Sequence, residues 1–544
     1  MNSKSSIYSG YVYDEPKTNW TKKSELESKL TYIRFDDEKG IAVGGIPVIS
    51  NGEEGYVDTS DNHCVIYGNS GAKKSTCLYM PTICTLAKSG ENMVISDPKG
   101  ELFARTSEFV KHQGYRIIVA NFRDYDCDAY NPLHYPARLW KEIGDVDKAA
   151  LVTSDFCSAL ALNQEQNGFV DPFWPSTAKA YMNGVIPLMF DSYNDIRNIN
   201  IMTLADYFTE HTSDLLKEYV NQTKISNAAM TNLRTVLSEP EKTKMSTLAT
   251  CSSFVQPFIQ NDKLARMLSN STFELEDIAK EKTVLYIITD DTTTVCNPIV
   301  GVLLSQLQTV LIDKAFHSEK GRLATRVNFL LDEFCSFPIP RVYEALATHR
   351  SRNLKYILCI QSLDALSDKY PHYESILANC ATSFFLGSTE MELLKNISQR
   401  CGETERTASG QKEPLISVQE LMTLRKSWDF KEALYLNLSD ATRYCTILPA
   451  IEQYKAFNVY GKGKLPTQKH PNVSVYTFND LLQDISKNEA DEPFTTHYKK
   501  AKKDKSKNVK EDHDTDTDID IEIKKELEAK FDELFGALSD NEED

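Results

Sequence analysis

The stretch Gly68–Ser75, which reads Gly-Asn-Ser-Gly-Ala-Lys-Lys-Ser, has the residue types and spacing of a phosphate-binding loop. It follows an apolar run, 63–67, that predicts a buried strand, and it precedes 76–80, which predicts the first turns of a helix. In such a turn the backbone N–H groups and Lys74 hold phosphate oxygens, and the Ser75 hydroxyl ligates Mg²⁺. The residues predicted to bind a nucleotide are Gly68, Asn69, Ser70, Gly71, Ala72, Lys73, Lys74, Ser75 and Thr76.

Lys73 departs from the pattern, which is Gly, four residues, Gly, Lys, and Ser or Thr, because it stands where the second glycine is expected. A glycine there packs close to the phosphates, where a Cβ is poorly tolerated. Gly68 and Gly71 are present, so the turn itself can form. Two alternatives follow: the Lys73 side chain points outward and leaves binding intact, or it weakens nucleotide affinity.

Two later strand ends carry polar residues that suit the same chemistry. An apolar strand predicted at 327–331 ends in Asp332 and Glu333, and the strand predicted at 356–360 ends at Gln361. We expect Asp332 to hold Mg²⁺, directly or through water, and Glu333 to orient or deprotonate the attacking water. Gln361 is placed to sense the γ-phosphate, although a polar strand end without a function would look the same.

The elements that position these residues alternate between strand and helix in two parts of the chain, 61–136 and 276–460. This alternation predicts an α/β fold with a central, mostly parallel sheet and right-handed crossovers. Between them, 137–275 has helical periodicity with few strand signals and predicts an inserted all-helical domain. Ligands bind at the carboxyl ends of parallel strands, so the loop at 68–75 and the turn at 97–101 should share one edge of the sheet.

The two ends of the chain differ from this pattern. Residues 1–60 precede the α/β fold as an N-terminal lead-in. For them the sequence predicts a short helix near 22–30 and a strand pair or hairpin over 40–48. Residues 461–544 are polar and charged and predict a disordered tail. Near its end, 521–538 has the apolar spacing of an amphipathic helix, which either folds back on the body or docks a partner protein.

Composition narrows the class of protein. The chain has 544 residues, a net charge of −17 and 41% hydrophobic residues, which is typical of a globular protein with a large core. Its twelve cysteines include no CxxC pair, which indicates a reducing compartment without a zinc module. Neither a secretory signal nor a transmembrane helix is predicted. The acidic body does not favour a nucleic-acid coat; the lysine-rich run 499–510 could contact DNA, but such runs are usually solvated.

Six motifs occur in the order seen in the TraG/TraD coupling proteins of type IV secretion and conjugation, and the chain resembles this family over about residues 60–460. The motifs are Asp97-Pro98-Lys99-Gly100-Glu101, Tyr130-Asn131-Pro132-Leu133, Asp171-Pro172-Phe173-Trp174, Leu331-Asp332-Glu333-Phe334, Arg350-Ser351-Arg352-Asn353 and Ile360-Gln361-Ser362-Leu363. The resemblance implies a RecA-like P-loop ATPase of the FtsK-like class, with an all-helical insertion, ATP and Mg²⁺ as cofactors, and a homo-hexameric assembly.

The same resemblance implies a function, which is the delivery of relaxase-bound single-stranded DNA to a type IV secretion channel. Arg350 resembles the family's trans-acting arginine, and the tail helix is similar to helices of Gram-positive members, which favours docking of a partner. Family members usually carry N-terminal membrane helices, which are not found here. We therefore expect a cytoplasmic protein, peripheral at the inner face of the membrane through a membrane-anchor subunit.

Two other functions fit the residues. Lys73 and the missing anchor motivate a non-hydrolysing or weakly hydrolysing adaptor that binds nucleotide and docks the relaxosome or a protein substrate. A soluble DNA translocase of a phage or mobile element is the third possibility. Neighbouring genes would separate these functions, since relaxase and channel genes indicate conjugation and packaging genes do not.

Overall fold

The computed structural model describes residues 19–37, 40–165, 171–223, 225–280, 282–405, 412–473 and 475–489. The lysine-rich run 499–510 and the predicted helix at 521–538 lie outside these ranges. The structure comprises two units, one up to Phe478 and one from Asn479 onward. In the second unit, the described residues continue a helix to Glu489.

The strands lie in three sheets. Their bounds are β1 (Thr31–Arg34), β2 (Ile46–Ser50), β3 (Glu54–Asp58), β4 (Cys64–Gly68), β5 (Asn92–Asp97), β6 (Arg116–Asn121), β7 (Thr283–Ile288), β8 (Val327–Leu331), β9 (Leu354–Ile360), β10 (Thr382–Gly387), β11 (Glu403–Glu405), β12 (Lys412–Pro414), β13 (Phe430–Asn437) and β14 (Thr442–Pro449). A small antiparallel sheet has the order β1-β3-β2, and β11 pairs with β12.

The helices cover the sheet and fill the stretch between β6 and β7. Their bounds are α1 (Lys23–Lys29), α2 (Met80–Ser89), α3 (Glu101–His112), α4 (His134–Arg138), α5 (Val146–Glu165), α6 (Phe173–Ser192), α7 (Ile201–Asp206), α8 (Glu210–Gln222), α9 (Asn227–Leu237), α10 (Glu241–Ile259), α11 (Asp262–Met267), α12 (Asn297–Phe316), α13 (Val342–Thr348), α14 (Leu363–Lys369), α15 (Tyr373–Ala378), α16 (Met391–Cys401), α17 (Val418–Met422) and α18 (Phe478–Glu489).

The main sheet has nine strands in the order β14-β13-β10-β4-β9-β8-β5-β7-β6. Strands β4 to β10 are parallel to one another, whereas β13 is antiparallel to both of its neighbours. Every residue of β4, β5, β7, β8 and β9 is buried, as expected where helices cover both faces of a parallel sheet. The predicted α/β fold with a central, mostly parallel sheet is confirmed.

This strand order brings the predicted site residues to one edge. Strand β4 lies between β10 and β9, and β8 and β5 follow beyond β9. In register, Tyr67 at the end of β4 pairs with Ile360 at the end of β9, and Leu331 at the end of β8 pairs with Ser96 of β5. The carboxyl ends of four neighbouring strands therefore meet, which is where open α/β sheets bind ligands.

Helix α12 is the one described helix that is long and apolar enough to cross a membrane, with a mean hydropathy of 1.4. Its most apolar window is 72% buried inside the protein. Among its buried side chains are Leu303, Leu304 and Leu307, each with 0% exposure. A helix buried in this way has the character of a core helix.

The prediction of a strand pair over 40–48 is wrong for its first half, because the strand begins at Ile46 and pairs with β3 instead. The preceding backbone is bonded to side chains. The Gly44 N–H donates to Glu91 at 2.9 Å, and the Gly44 carbonyl accepts from Arg326 at 2.7 Å. These charged partners replace the neighbouring strand that the apolar pattern led us to expect.

Between β6 and β7, the described residues form helices α4 to α11 and short 3₁₀ or π turns, without a strand. This agrees with the helical periodicity of 137–275. The stretch belongs to the same unit as the sheet. Its assignment as a separate inserted domain stays a prediction.

The first part of the segment predicted to be disordered, from residue 461, packs against the body of the protein. Tyr460 stacks on His112 with 3.9 Å between ring centroids, and the Gly463 N–H donates to the Ala104 carbonyl at 2.9 Å. Aromatic residues that are isolated in a polar sequence pack this segment against other parts of the chain. Because they do not recur at a regular spacing, periodicity could not predict this packing. These aromatic residues are Tyr460, Tyr476 and Phe478.

Gly463 offers a test of this packing, because a Cβ there would lie 1.9 Å from the Ser107 Oγ. We expect Gly463→Ala to detach the segment, lowering the free energy of unfolding by about 1–3 kcal/mol, as overpacking does, and to speed hydrogen exchange in 460–473. Gly461→Ala is the matched control, since a Cβ at Gly461 meets nothing within 4 Å. Equal exchange rates in the two variants would contradict the packing.

Candidate nucleotide site

The shared strand edge forms a cavity of about 400 Å³. It brings together the phosphate loop, the turn after β5, and the ends of β8 and β9. Its lining residues are Ser70, Gly71, Ala72, Lys73, Lys74, Ser75, Thr76, Asp97, Pro98, Lys99, Glu101, Leu102, Asp332, Glu333 and Gln361. Seven of the nine residues predicted to bind a nucleotide line it, and Gly68 and Asn69 supply carbonyls at the base of the loop.

The structure explains why glycine occupies positions 68 and 71 of the loop. A Cβ at Gly68 would lie 3.1 Å from both the Ala72 Cβ and the Lys74 Cδ, so any other residue would crowd the closed loop and displace these side chains. Gly71 has a φ of +76°, in the left-handed region that glycine adopts without strain. A Cβ at Gly71 would meet nothing within 4 Å, so its conformation, and not crowding, favours glycine there.

Lys74 is oriented into the loop. Its ammonium group donates to the carbonyls of Gly68 at 2.7 Å and Asn69 at 3.1 Å, and the residue is buried. These neutral acceptors are weaker partners for an ammonium than phosphate oxygens are. Lys74 is thus in place to exchange them for an anionic ligand.

Lys73 adopts the left-handed conformation, with a φ of +63°, so it has the backbone geometry of the glycine it replaces. Its ammonium donates to the Trp428 carbonyl at 2.8 Å. Of the two alternatives drawn from the sequence, this geometry corresponds to the outward-pointing side chain. A left-handed residue with a Cβ costs of order 1 kcal/mol, which the surrounding contacts must offset.

Asp332 and Glu333 form the acidic side of the cavity. The Ser96 hydroxyl donates to the Asp332 carbonyl at 2.7 Å, and the Glu333 N–H donates to the Asp332 carboxylate at 3.2 Å. Burial raises the pKa of the Asp332 carboxyl, opposed by the charge of Lys74. Burial, together with the negative charge of Asp332, also raises the pKa of Glu333. Glu333 has a φ of +56°, a strained conformation of the kind that clusters at functional sites.

Gln361 follows β9 and lines the cavity, as predicted, whereas Arg350 does not. Arg350 lies before β9, at the opposite edge of the sheet, and its guanidinium donates to the Asn62 side chain at 3.2 Å. It is therefore not grouped with the other predicted catalytic residues within one chain. A role for Arg350 in a neighbouring subunit stays a prediction.

Asp97 is not among the predicted site residues, although it lies at the end of the apolar strand β5. The reasoning that identified Asp332 at the end of β8 applies to it equally. The Asp97 carboxylate accepts from the Phe103 N–H at 2.7 Å near the start of α3, and burial raises its pKa to about 6. Arg123 fixes the turn by donating to the Pro98 carbonyl at 2.9 Å. Lys99 and Glu101 of the same turn complete this wall.

Asp97 makes a pH-dependent contribution to stability. Its folded-state pKa of about 6 lies above the ordinary 3.8, so folding favours the neutral form and the free energy of unfolding falls between these pH values as pH rises. Asp97→Asn keeps an acceptor for the Phe103 N–H. We expect this variant to be more stable than wild type at neutral pH by up to about 3 kcal/mol, with no difference below about pH 4. Urea unfolding across this range checks it, and a pH-independent difference would contradict it.

The residues of the cavity fit a nucleotide with Mg²⁺. Among the described residues, no group of three or more His, Cys, Asp or Glu side chains could hold a metal by itself. Magnesium does not require such a cage, because it usually takes one or two protein ligands together with water and phosphate oxygens. Ser75 and Asp332 line the same cavity and supply a hydroxyl and a carboxylate for that role.

Comparison with solved structures places this fold beside the bacterial conjugative coupling protein TrwB. The trigonal form of TrwBdeltaN70 with sulphate has 16% identity and a TM-score of 0.58, and the match covers 84% of this chain and 100% of that crystallised chain. The TrwB complex with the ATP analogue ADPNP has 14% identity and a TM-score of 0.57, and the complex with ADP and Mg²⁺ has 15% and 0.56; each match covers 86% of this chain and 98% of that crystallised chain. At such identities the likeness shows the fold alone.

No curated protein sequence matches the chain. The family model described as "Type IV secretory system Conjugative DNA transfer" matches residues 19–428. That match covers most of the 544 residues, including the phosphate loop, Asp332, Glu333 and Gln361. The chain therefore belongs to the conjugative DNA transfer family of the type IV secretory system.

Proposed function

We propose that this protein is the coupling ATPase of a conjugative type IV secretion system, which hydrolyses ATP to pump relaxase-bound single-stranded DNA into the transfer channel. The observation that carries the proposal is the single cavity in which Lys74, Ser75, Asp332 and Glu333 meet. An ammonium, a hydroxyl and two carboxylates at the carboxyl edge of a parallel sheet are the groups that phosphoryl transfer requires.

Each residue of the cavity has one role in the proposed reaction. When bound, ATP and Mg²⁺ supply a phosphoryl group for transfer to water and a charge that neutralises the phosphate oxygens. Lys74 releases the Gly68 and Asn69 carbonyls and holds phosphate oxygens in their place. Ser75 and Asp332 hold the metal, Glu333 orients the attacking water and accepts its proton, and Gln361 senses the γ-phosphate.

The position of Arg350 supports an assembled form of the enzyme. It lies at the edge of the sheet opposite the cavity and does not line the cavity of its own chain. In the ring that we propose, this edge of one subunit faces the cavity of the next, where a trans-acting arginine would stabilise transition-state charge. We therefore propose a homo-hexamer in which Arg350 completes the neighbouring site.

The proposed cellular setting is the inner face of the membrane, where the protein receives the relaxase–DNA complex. The segment 521–538, outside the described residues, docks a partner protein.

A second candidate is an adaptor that binds nucleotide without turning it over. The left-handed Lys73 favours it, because a strained residue beside Lys74 can hold the loop in a form that binds phosphate but does not hydrolyse it. Steady turnover of ATP would rule this candidate out. A soluble translocase of a phage or mobile element shares the cavity chemistry and would be revealed by packaging genes beside this one.

The proposal is tested by ATP turnover of the purified full chain with and without single-stranded DNA. We expect DNA to stimulate hydrolysis in the wild type, Lys74→Ala to abolish it, and Glu333→Gln to lower it by about two to three orders of magnitude. Lys111→Ala, an exposed lysine on α3, is the matched charge control and should behave as wild type. Equal turnover in wild type, Lys74→Ala and Glu333→Gln would overturn the proposal.

A further inference from the structure

Trp428 stands beside the phosphate loop with its side chain in solvent. It lies between α17 and β13 and is 72% exposed, although large aromatic side chains usually bury most of their surface. Its carbonyl accepts the hydrogen bond of Lys73, a residue of the phosphate loop itself. Trp428 is thus bonded through its backbone to a residue that lines the cavity, and its indole is exposed to solvent.

The segment that carries the indole, residues 424–428, is held in a defined conformation. Below it, the Lys431 ammonium donates to the Leu424 carbonyl at 3.0 Å, and the Glu432 carboxylate accepts from the Arg425 N–H at 2.8 Å. Because side chains of β13 bond the backbone of residues 424 and 425, we regard residues 424–428 as a rigid platform for the indole.

Two lysines fasten the platform to the phosphate loop from opposite directions. Lys73 reaches from the loop to the Trp428 carbonyl at 2.8 Å, and Lys426 reaches from the platform to the Gly71 carbonyl at 3.4 Å. The hydrogen bond to Trp428 offsets the strained φ of Lys73. A glycine at this position would relieve the strain but could not make the bond.

The strand order tells which end of a nucleotide would face the platform. The groups suited to the γ-phosphate, Asp332, Glu333 and Gln361, follow β8 and β9, which lie on one side of β4. A triphosphate bound along the loop must direct its nucleoside toward the other side of β4. That side is formed by β10 and β13, and Trp428 lies two residues before β13.

We propose that Trp428 forms a nucleoside subsite, in which the indole stacks on the purine base of the bound nucleotide, and that Lys73 is the residue that positions it. The inference rests on the proposed nucleotide binding and adds the base-recognition end of the same site. Stacking on an aromatic face tolerates different bases, because every base presents a π-face. The subsite therefore supplies affinity for the nucleoside and little discrimination between adenine and guanine.

The test separates nucleoside from phosphate recognition, by measuring calorimetrically the binding of ADP and of inorganic tripolyphosphate to the full chain. We expect Trp428→Ala to raise the Kd for ADP about tenfold, as loss of one base stack does, and to leave tripolyphosphate within twofold of wild type. Trp428→Phe should restore most of the affinity for ADP. Trp20→Ala is the matched control, because Trp20 is also solvent-exposed, at 36%.

The outcomes distinguish this inference from the function it rests on. If wild type binds neither ADP nor tripolyphosphate, nucleotide binding itself fails. If Trp428→Ala leaves ADP binding unchanged, or weakens both ligands equally, the nucleoside subsite is overturned while nucleotide binding stands. A change confined to the sedimentation of the protein would assign Trp428 to a contact between subunits and would also overturn it.

The positioning role of Lys73 has its own readout. Lys73→Met keeps an unbranched side chain but removes the bond to Trp428, so we expect the Kd for ADP to rise several-fold while the Kd for tripolyphosphate changes by less than twofold. The double variant with Trp428→Ala should bind ADP no more weakly than Trp428→Ala alone, because the two residues act as a unit. A loss in kcat or in tripolyphosphate affinity would show that Lys73 acts on the phosphates instead.

Discussion

Replacing Glu333 with glutamine is expected to lower the rate of ATP hydrolysis by about two to three orders of magnitude, the range that general acid–base catalysis contributes. The amide keeps the shape of the side chain but cannot accept a proton from the attacking water. The backbone N–H of residue 333, which donates to Asp332, is unaffected by the change. ATP binding should therefore stay within about twofold of wild type, measured by calorimetry beside single-turnover hydrolysis.

Glu101→Gln is the matched control for this prediction. Glu101 lines the same cavity and is also a carboxylate, but it begins α3 after β5, whereas Glu333 follows β8. We expect this variant to hydrolyse ATP at nearly the wild-type rate. A similar loss in both variants would show that the summed charge of the cavity, and not the position of Glu333, governs the rate. Lys74→Ala should differ from both, because it loses nucleotide binding as well.

Removing Arg326 is expected to lower the free energy of unfolding by about 3–5 kcal/mol, the usual cost of breaking a buried ion pair. The Arg326 side chain is only 6% exposed and contacts the buried Glu91 carboxylate at 2.7 and 3.0 Å. Arg326 also donates to the Gly44 carbonyl, and the Asn328 amide donates to Glu91 at 2.9 Å. In Arg326→Ala the Glu91 charge stays buried without its main partner. Urea unfolding at neutral pH would measure the loss.

A solvent-exposed pair provides the comparison. Arg34 and Asp36 also form a close ion pair, at 3.0 Å, but their side chains are 58% and 55% exposed. Arg34→Ala should change the free energy of unfolding by less than about 1 kcal/mol, because exposed pairs contribute little. The double variant Arg326→Met with Glu91→Leu should recover much of the stability lost in Arg326→Ala. Equal losses of unfolding free energy in Arg34→Ala and Arg326→Ala would show that burial of the ion pair does not cause the destabilisation.

The central part of the fold and most of the site could be predicted because they depend on local patterns. Apolar runs followed by glycine, a carboxylate or, in β9, glutamine predicted β4, β5, β8 and β9, and strand–helix alternation predicted their parallel arrangement. Once the strands are parallel, their carboxyl ends must share an edge. The grouping of Lys74, Ser75, Asp332, Glu333 and Gln361 in one cavity follows from that rule.

Other features could not be predicted, because they depend on contacts between residues far apart in sequence. The apolar pattern at 40–48 suggested a strand, but Gly44 is bonded to Glu91 and Arg326 instead. The segment after Tyr460 looked disordered, because a few aromatic anchors in a polar sequence produce no periodicity. In both cases the partners lie in distant parts of the chain.

The sequence by itself determined the class of fold, the phosphate loop and the carboxylates opposite it, because strand ends and glycine turns are encoded over a few neighbouring residues. Only the tertiary structure decided the direction of the Lys73 side chain and the place of Trp428 beside the loop. These depend on strand order, which places β10 and β13 on the side of β4 away from β9. Strand order is set by the packing of the whole sheet, and no short stretch of sequence carries it.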